Sequence, residues 1–289
     1  MALMTGVDLN ASLTGIVNDI RLKSYKYLGN EGVFKKLVTP IGVGKSGSFV
    51  TEPYFDPTGL SVTTASEGVD FTAFSKYLPT VREYHATESI WGTRLSYDNV
   101  AESTESYRDE QARAHGYVHG KNMEVKCAAV CASFTSQITA TATAGLNIHT
   151  LAVAKATLEA KAQSFSGPFT AVFGPSGGLQ LFDNLTNVTN VGTLGSLGDT
   201  VLDKYHVNTV LGDINVFQSN GFALTASTYN IGGLFIKQAI GLFVPRDYTF
   251  KTEEDISARG WEVVSTMKFG ARVRLAAAGV GIKIRSAVA

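Results

Sequence analysis

The sequence is poor in charge and in cysteine, and it has no long apolar run. Charged residues make up 17% of the 289 positions, below the roughly 25% typical of soluble domains. Lys+Arg and Asp+Glu each number 25, so the formal net charge is +0. The chain therefore has no global basic field that would attract nucleic acid or acidic membranes. A chain of this composition stays soluble when partners cover much of its surface.

Two cysteines, Cys127 and Cys131, are present. Two thiols do not form a disulfide framework, and the pair indicates a reducing compartment. Their spacing on a predicted helix favours two small buried residues on one face. No apolar run approaches the ~20 residues that a membrane span needs. Residues 1–8 contain neither a basic nor a sustained apolar segment, so we expect no signal peptide.

The amino-terminal segment predicts a helix. Within residues 12–38, the apolar side chains follow the i, i+3, i+4, i+7 spacing of one helix face: Leu13, Ile16, Val17 and Ile20. Gly29 and Gly32 interrupt this pattern, and Pro40 excludes a helix beyond it.

Residues 41–95 differ in character, because they are rich in Gly, Pro, Thr and aromatic residues. The pattern predicts a long hairpin excursion, with one strand from Phe49 to Phe55 and a return strand from Tyr77 to Leu95. A two-stranded arm of this length cannot bury both of its faces by itself. It needs a partner surface, either its own body or another subunit.

A long helix is predicted over residues 98–138. Acidic residues lie in its early turns, where the helix dipole favours negative charge. Its apolar stripe consists of small residues together with Tyr107, Val118 and Val125. Gly116 and Gly120 lie inside the helix, where glycine permits bending or close helix packing.

The rest of the chain predicts a second helix and then a region rich in strands. The expected elements are a helix over 150–164, a strand over 169–173, a turn over 174–178, a helix from Leu179, an exposed loop over 185–200 and sheet segments over 208–284. Helices and strands are thus mixed without the regular βαβ alternation, which indicates an α+β fold.

Three motifs resemble a phosphate-binding, a catalytic or a metal-binding site, but the residues around each motif do not fit such a site. Residues 42–46 (Gly-Val-Gly-Lys-Ser) lack the first glycine of a phosphate-binding loop, and strand residues follow them. Residues 174–178 (Gly-Pro-Ser-Gly-Gly) match a nucleophile elbow at Ser176, with Asp183 or Asp199 and His206 following in hydrolase order. The βα units that such an enzyme needs are missing over residues 41–140.

A histidine pair, His115 and His119, has the i, i+4 spacing of helical metal ligands. The glutamate of a zinc protease is missing between them, so a solvated or interface helix face is expected. We therefore assign no catalytic residue, no metal and no cofactor, and expect no enzymatic activity.

Basic residues form two clusters in the sequence. The first contains Arg21, Lys23, Lys26, Lys35, Lys36 and Lys45, and the second contains Lys268, Arg272, Arg274, Lys283 and Arg285. Each is interpreted first as a solvated face.

The order of these elements resembles that of the major capsid proteins of tailed bacteriophages, which share the Hong Kong 97-type shell fold. The segments that carry the resemblance are Leu151 to Phe173 with residues 179–182, residues 211–220, and Ala239 through Arg274. It extends over nearly the whole chain.

The resemblance implies a division of the chain into four parts. These are an N-terminal arm (1–40), an extended loop (41–95), a peripheral domain with a spine helix (96–144 and 231–289) and an axial domain (145–230). It further implies copies that self-assemble into pentamers and hexamers of an icosahedral head around double-stranded DNA. The virion is then the expected location, after assembly in the host cytoplasm.

The same resemblance assigns roles to individual residues. The placement of Gly116 and Gly120 inside the spine helix gives the further hypothesis that they form a hinge there. Lumen-facing residues that contact DNA without sequence preference would come from both basic clusters: Arg21, Lys23, Lys26, Lys35, Lys36, Arg272 and Arg274. Because a long charged N-terminal segment is missing, a separate scaffolding protein is expected, together with a portal and a possible decoration protein. No membrane is involved.

Other functions stay open at this point. An encapsulin-type nanocompartment shell would use the same fold. A serine hydrolase using Ser176 is the alternative from another class. A tail-tube subunit is disfavoured by the long central helix.

Overall fold

The computed structural model describes residues 6–30, 32–42, 46–54, 80–97, 105–140, 145–161, 167–186, 209–210, 213–222, 229–257 and 259–285. The helices are α1 (Gly6–Asn30), α2 (Phe34–Leu37), α3 (Glu105–Val130), α4 (Ile148–Glu159) and α5 (Pro175–Thr186). None of these described helices is long and apolar enough to cross a membrane.

Twelve strands form three sheets in the described part of the chain. The strands are β1 (Thr39–Ile41), β2 (Phe49–Tyr54), β3 (Thr80–His85), β4 (Thr87–Ser96), β5 (Ser136–Thr139), β6 (Phe169–Phe173), β7 (Thr209–Val210), β8 (Ile214–Gln218), β9 (Tyr229–Phe235), β10 (Ile240–Asp255), β11 (Gly260–Val273) and β12 (Gly279–Arg285). The sheet orders are β1-β10-β11-β4, β5-β12-β9-β6-β8-β7 and β2-β3. Helices and mixed sheets confirm the predicted α+β class.

The four-stranded sheet is built on a long antiparallel ribbon of β10 and β11. Residues alternate between its two faces, and those at odd positions of β11 from Trp261 to Phe269 are buried. Helix α3 packs on this face, and α1 packs on α3. The core between them contains Val17, Ile20, Leu95 and Val263. The predicted spacing of Val17 and Ile20 thus forms the buried face of α1.

The six-stranded sheet has its own core. Helices α4 and α5 cover it with Leu151, Leu158 and Leu181, which share a core with Phe169 and Ile282 of the strands. A separate cluster joins the two sheets, where Met123 and Cys127 of α3 meet Phe34, Phe235 and Phe269. The carboxyl end of α3 is therefore shared by both halves of the molecule.

The long helix is shorter than the sequence predicts. It ends at Val130, a single 3-10 turn follows, and residues 136–139 form a strand beside β12 instead of continuing the helix. Phe134 is extended and buried, and a side chain at position 279 would lie 2.3 Å from its ring. Residues 98–104 lie outside the described part.

Two other element boundaries also differ. The predicted turn at 174–178 is wrong, because α5 begins at Pro175, where the fixed φ of proline suits the first helical position. Helix α4 begins at Ile148, not at residue 150, because the Asn147 side chain accepts a hydrogen bond from the Thr150 N–H at 2.8 Å. Of the loop predicted over 185–200, residues 185 and 186 belong to α5, and residues 187–200 lie outside the described part.

The predicted return strand over residues 77–95 is divided in two. Thr80–His85 pairs with Phe49–Tyr54, as the hairpin requires. After Ala86, Thr87–Ser96 instead pairs with β11 and completes the four-stranded sheet. The excursion therefore ends at residue 85, and residues 87–96 belong to the body.

Candidate functional site

The β2–β3 pair, called the arm hairpin below, has one face on its own body and one face exposed. Val50 and Tyr84 are buried with Phe243 of β10. On the other face, Phe49 is 58% exposed and Val81 is 56% exposed. The described base of the arm therefore uses its own body as one partner surface, and it presents apolar side chains outwards.

A set of cations fastens the arm hairpin to the body. The Arg274 guanidinium donates hydrogen bonds to both carboxylate oxygens of Glu52 in β2, at 3.1–3.3 Å. Arg272 donates to the Glu83 carbonyl at 2.9 Å, and Lys268 donates to the Ser48 hydroxyl at 2.8 Å. A bidentate arginine–carboxylate pair fixes both the position and the orientation of its two side chains. Arg272 and Arg274 therefore both hold the arm, and their predicted contact with DNA stays a prediction.

The N-terminal cations divide into one paired residue and four exposed ones. Lys23 lies 2.7 Å from Asp109, 3.2 Å from Asp19 and 3.6 Å from Glu105. Its hydrogen bonds to Asp109 and Asp19 raise the pKa of the ammonium, so Lys23 links α1 to α3 and is not a free cation. The exposed residues are Arg21, Lys26, Lys35 and Lys36.

Helices α1 and α3 cross at Gly116. A Cβ atom there would lie 2.5 Å from the Ser24 carbonyl oxygen, 2.8 Å from the Leu28 nitrogen and 2.9 Å from the Tyr27 Cβ. Glycine is needed for this close approach of the two helices. Close packing, one of the two roles predicted for glycine in this helix, therefore applies at Gly116. Gly120 is also buried. The hinge role of the two glycines stays a prediction.

The histidine pair is fully buried, which corrects the expected solvated face. His115 lies between the Thr93 hydroxyl and the Ser265 hydroxyl, both at 2.8 Å. His119 lies 3.0 Å from the same Ser265 hydroxyl and 3.0 Å from that of Ser89. The two rings thus fill a polar layer between α3 and strands β4 and β11.

This layer favours uncharged rings. Burial, with a smaller contribution from His119, lowers the pKa of His115 to about 4. Burial also lowers the pKa of His119. Among the described residues, no group of three potential ligands is placed to hold a metal ion.

Glu124 is a buried carboxylate whose role the sequence reasoning missed. Its Oε1 accepts a hydrogen bond from the Phe34 N–H at 2.8 Å, and its Oε2 accepts one from the Ser219 hydroxyl. The residue expected to be apolar and buried, Val125, is instead 42% exposed. Glu124 therefore joins α3, the N-terminal segment and the loop after β8.

Ser176 does not lie in a catalytic constellation among the described residues. It is in the first turn of α5, 2% exposed, and its hydroxyl has no hydrogen-bond partner there. Asp183 is exposed on the same helix. Asp199 and His206 lie outside the described part, as does Lys45 of the phosphate-loop-like motif, which is followed by strand β2 and not by a helix.

Comparisons with known proteins give matches in structure. No protein-family model and no curated protein matches the sequence. A structure from Mycobacterium phage Che8 is 17% identical with a TM-score of 0.66, and the match covers 87% of this chain and 91% of that one. The capsid of cyanophage P-SCSP1u is 16% identical with a TM-score of 0.64, covering 87% and 88%.

A virus-like particle from Pyrococcus furiosus is similar as well, at 14% identity and a TM-score of 0.60, over 92% of this chain and 98% of that one. At such identities the similarity shows the fold. It confirms the architecture that the order of elements predicted. The chain has the Hong Kong 97-type fold, which it shares over most of its length with phage capsid structures.

Proposed function

We propose that the chain is a major capsid protein whose copies assemble into the icosahedral head of a tailed phage around double-stranded DNA. The carrying observation is the fold, which matches phage capsid chains over about nine tenths of their length. The exposed apolar face of the arm hairpin supports this proposal. Phe49 and Val81 lie on a two-stranded element that needs a further partner to bury this face.

Assembly would proceed through contacts between different surfaces of neighbouring copies, whose rotation closes into rings of five and six and then into a shell. In this proposal the arm, residues 49–85, lies over a neighbouring copy. Helix α3 is the spine of a peripheral domain (96–144 and 231–289), to which residues 87–96 are added. Residues 145–230 form the axial domain.

Contact with packaged DNA would involve the exposed cations of the N-terminal segment. Arg21, Lys26, Lys35 and Lys36 are exposed and are proposed to face the lumen. Such contacts are independent of sequence and weaken with salt. A separate scaffolding protein, a portal and possible decoration proteins complete the proposed partners. The virion is the proposed location, after assembly in the host cytoplasm.

Electron microscopy of the purified chain tests the proposal, with size-exclusion chromatography alongside. Closed shells, or rings of five and six, are the expected result. A chain that stays monomeric, both alone and when co-expressed with the scaffolding gene next to its own, would contradict it.

A nanocompartment shell is the second candidate, because a nanocompartment would use the same fold and a virus-like particle also matches over nearly its whole length. It ranks lower because several phage capsid and head structures match as well. The contents of particles isolated from producing cells separate the two. Genome-length double-stranded DNA supports the head, and an enclosed protein without DNA supports the compartment.

The hydrolase alternative is tested at Ser176. A fluorophosphonate probe should label neither the wild-type chain nor Ser176→Ala. Labelling that is lost in Ser176→Ala would support a nucleophilic serine. Because the hydroxyl is buried without a partner, removing it should leave stability unchanged or slightly higher.

A further inference from the structure

A cleft of about 550 Å³ lies where the arm hairpin, the carboxyl end of α3 and the far end of β11 meet. Its floor is apolar and includes Val130 and Ala271. Four basic side chains line it: Arg82, His85, Lys126 and Arg272. None of its lining residues carries a carboxylate, and the Glu83 carboxylate lies beside it, 3.5 Å from His85. With Arg82, Lys126 and Arg272 in its lining, the cleft is a local positive site on a chain with no net charge.

The basic groups are held in place but retain unused donors. The Arg82 guanidinium lies over the Tyr54 ring, 5.4 Å from its centre, and its Nε is buried without a hydrogen-bond partner. Lys126 lies over the Phe269 ring at 5.1 Å and contacts the Thr87 hydroxyl. A buried donor without an acceptor is costly. The Arg82 Nε–H therefore lacks an acceptor, which an anion in the cleft would provide.

The chain carries a matching segment at the turn between β10 and β11, called the tip below (residues 253–257). It contains three consecutive acidic residues, Glu253 to Asp255, followed by Ile256, which is 79% exposed. Glu253 makes no ion pair among the residues that the structure describes. Glu254 accepts a hydrogen bond from the Tyr97 hydroxyl at 2.6 Å and is exposed. The Asp255 carboxylate lies 3.7 Å from Arg94 and accepts a hydrogen bond from the Ser257 N–H at 3.0 Å, which orders the turn.

The tip and the cleft of one copy cannot meet. Glu253 pairs with Glu262 on β11, and Ala271 in the cleft is nine residues further along that strand. At about 3.3 Å per residue this is about 30 Å. One end of the long ribbon therefore carries the acidic tip with the exposed Ile256. The opposite end carries the basic cleft with its apolar floor.

We infer that the cleft receives the tip of a second copy of this chain, with the carboxylates of Glu253 and Glu254 against Lys126 and Arg82, and Ile256 on the apolar floor. Such a head-to-tail contact joins two different surfaces, which is the kind that closes into rings. The inference rests on the proposed function, because it specifies one contact of the assembled shell. Packing of one end of the ribbon against the other gives each copy one donor surface and one acceptor surface.

Zero-length carbodiimide cross-linking of the full-length chain, followed by mass spectrometry, tests the contact. The expected result is a Lys126–Glu253 or Lys126–Glu254 cross-link. Lys126 lies at Phe269, seven residues along β11 from the partner of Glu253, so about 23 Å separates the two within one copy and the cross-link can form only between copies. Particles without this cross-link would overturn the inference and leave the proposed function intact. A chain that yields neither particles nor cross-links would overturn both.

Charge reversal provides an independent readout. Lys126→Glu alone, or Glu253→Lys with Glu254→Lys, should lower the yield of particles about tenfold or more, because like charges then face each other. Combining the reversals should restore assembly. Lys237→Glu, at an exposed cation outside the cleft, is the control and should assemble normally. Circular dichroism should show that each single variant is folded.

Two outcomes would contradict the inference. The combined variant would assemble no better than the single ones if the two surfaces do not meet. Alternatively, Lys126→Glu would lower only the DNA content of normal particles if the cleft holds DNA phosphates instead of a protein carboxylate.

Discussion

Replacing Gly116 by alanine tests the crossing of α1 and α3. The added Cβ would lie 2.5 Å from the Ser24 carbonyl oxygen and 2.8 Å from the Leu28 nitrogen. Both are backbone atoms and cannot rotate away, so the two helices must separate or bend. An extra methyl group in a well-packed interior costs about 1–3 kcal/mol, and alanine regains about 1 kcal/mol in helix propensity. The expected net result is a loss of up to about 2 kcal/mol of unfolding free energy.

The matched control is Gly15→Ala in α1. A Cβ at position 15 has nothing within 4 Å, so this variant gains only the helix propensity of alanine, about 0.5–1 kcal/mol. The same chemical change is thus expected to have opposite signs at the two positions. The contrast does not depend on the absolute stability of the chain.

Thermal unfolding of the unassembled chain, followed by circular dichroism, measures this contrast. One kcal/mol corresponds to about 2–4 °C in larger domains, so Gly116→Ala should melt several degrees below Gly15→Ala. An increase in melting temperature in both variants would refute the close approach of the helices at Gly116.

The hinge hypothesis needs a separate measurement on particles. If Gly116 and Gly120 let α3 straighten during maturation, the double alanine variant should change particle expansion. Unaltered expansion in that variant would contradict the hinge and leave close packing as the reason for Gly116.

Three further outcomes are expected. Glu124→Ala should lower the free energy of unfolding in urea by at least about 2 kcal/mol, because the Phe34 N–H and the Ser219 hydroxyl lose a charged acceptor. Glu124→Gln should cost less, since the amide oxygen of glutamine still accepts a hydrogen bond. Equal costs of the two variants would contradict the hydrogen-bonded role of Glu124. The pKa of His115 is about 4 in the folded chain, below the ~6.5 expected when unfolded, so its contribution to stability is complete above about pH 6.5 and is lost as the pH falls towards 4. A shallower acid dependence is therefore expected for His115→Gln, and an identical pH–stability profile in both proteins would show that the ring does not titrate on unfolding. A double-mutant cycle of Glu52→Gln and Arg274→Gln should give a coupling energy of about 1 kcal/mol or more, because the ion pair is bidentate and both side chains are largely shielded from solvent. A coupling energy near zero would show that the pair does not hold the arm.

Short-range patterns in the sequence were reliable where the structure follows from neighbouring residues. Val17 and Ile20 predicted the buried face of α1, because residues three and four apart lie on the same side of a helix. The strand Phe169–Phe173 was predicted in full. Element ends were less well predicted when the competing partner is distant. Residues 136–139 leave the helix because they pair with β12, some 140 residues later.

Polar residues were misjudged for a related reason. His115 and His119 were expected on a solvated or interface helix face, and Glu124 was not singled out, since charged or polar side chains are seldom fully buried. Strands β4 and β11 and the loop after β8 supply hydroxyl groups that satisfy them. A buried polar side chain is acceptable only with such partners, and these come from distant parts of the sequence.

The sequence by itself determined the mixture of helices and strands, the long central helix, the start of the hairpin excursion and the order of elements that resembles the capsid fold. These follow from local periodicity and from turn residues, which act over a few positions. Only the tertiary structure decided that residues 87–96 join the body sheet, that Lys23 and Arg274 are bound to carboxylates, and that Gly116 is a helix crossing. Each of these depends on which distant segments come into contact, because strand pairing, ion pairs and close packing are made between surfaces that only folding brings together.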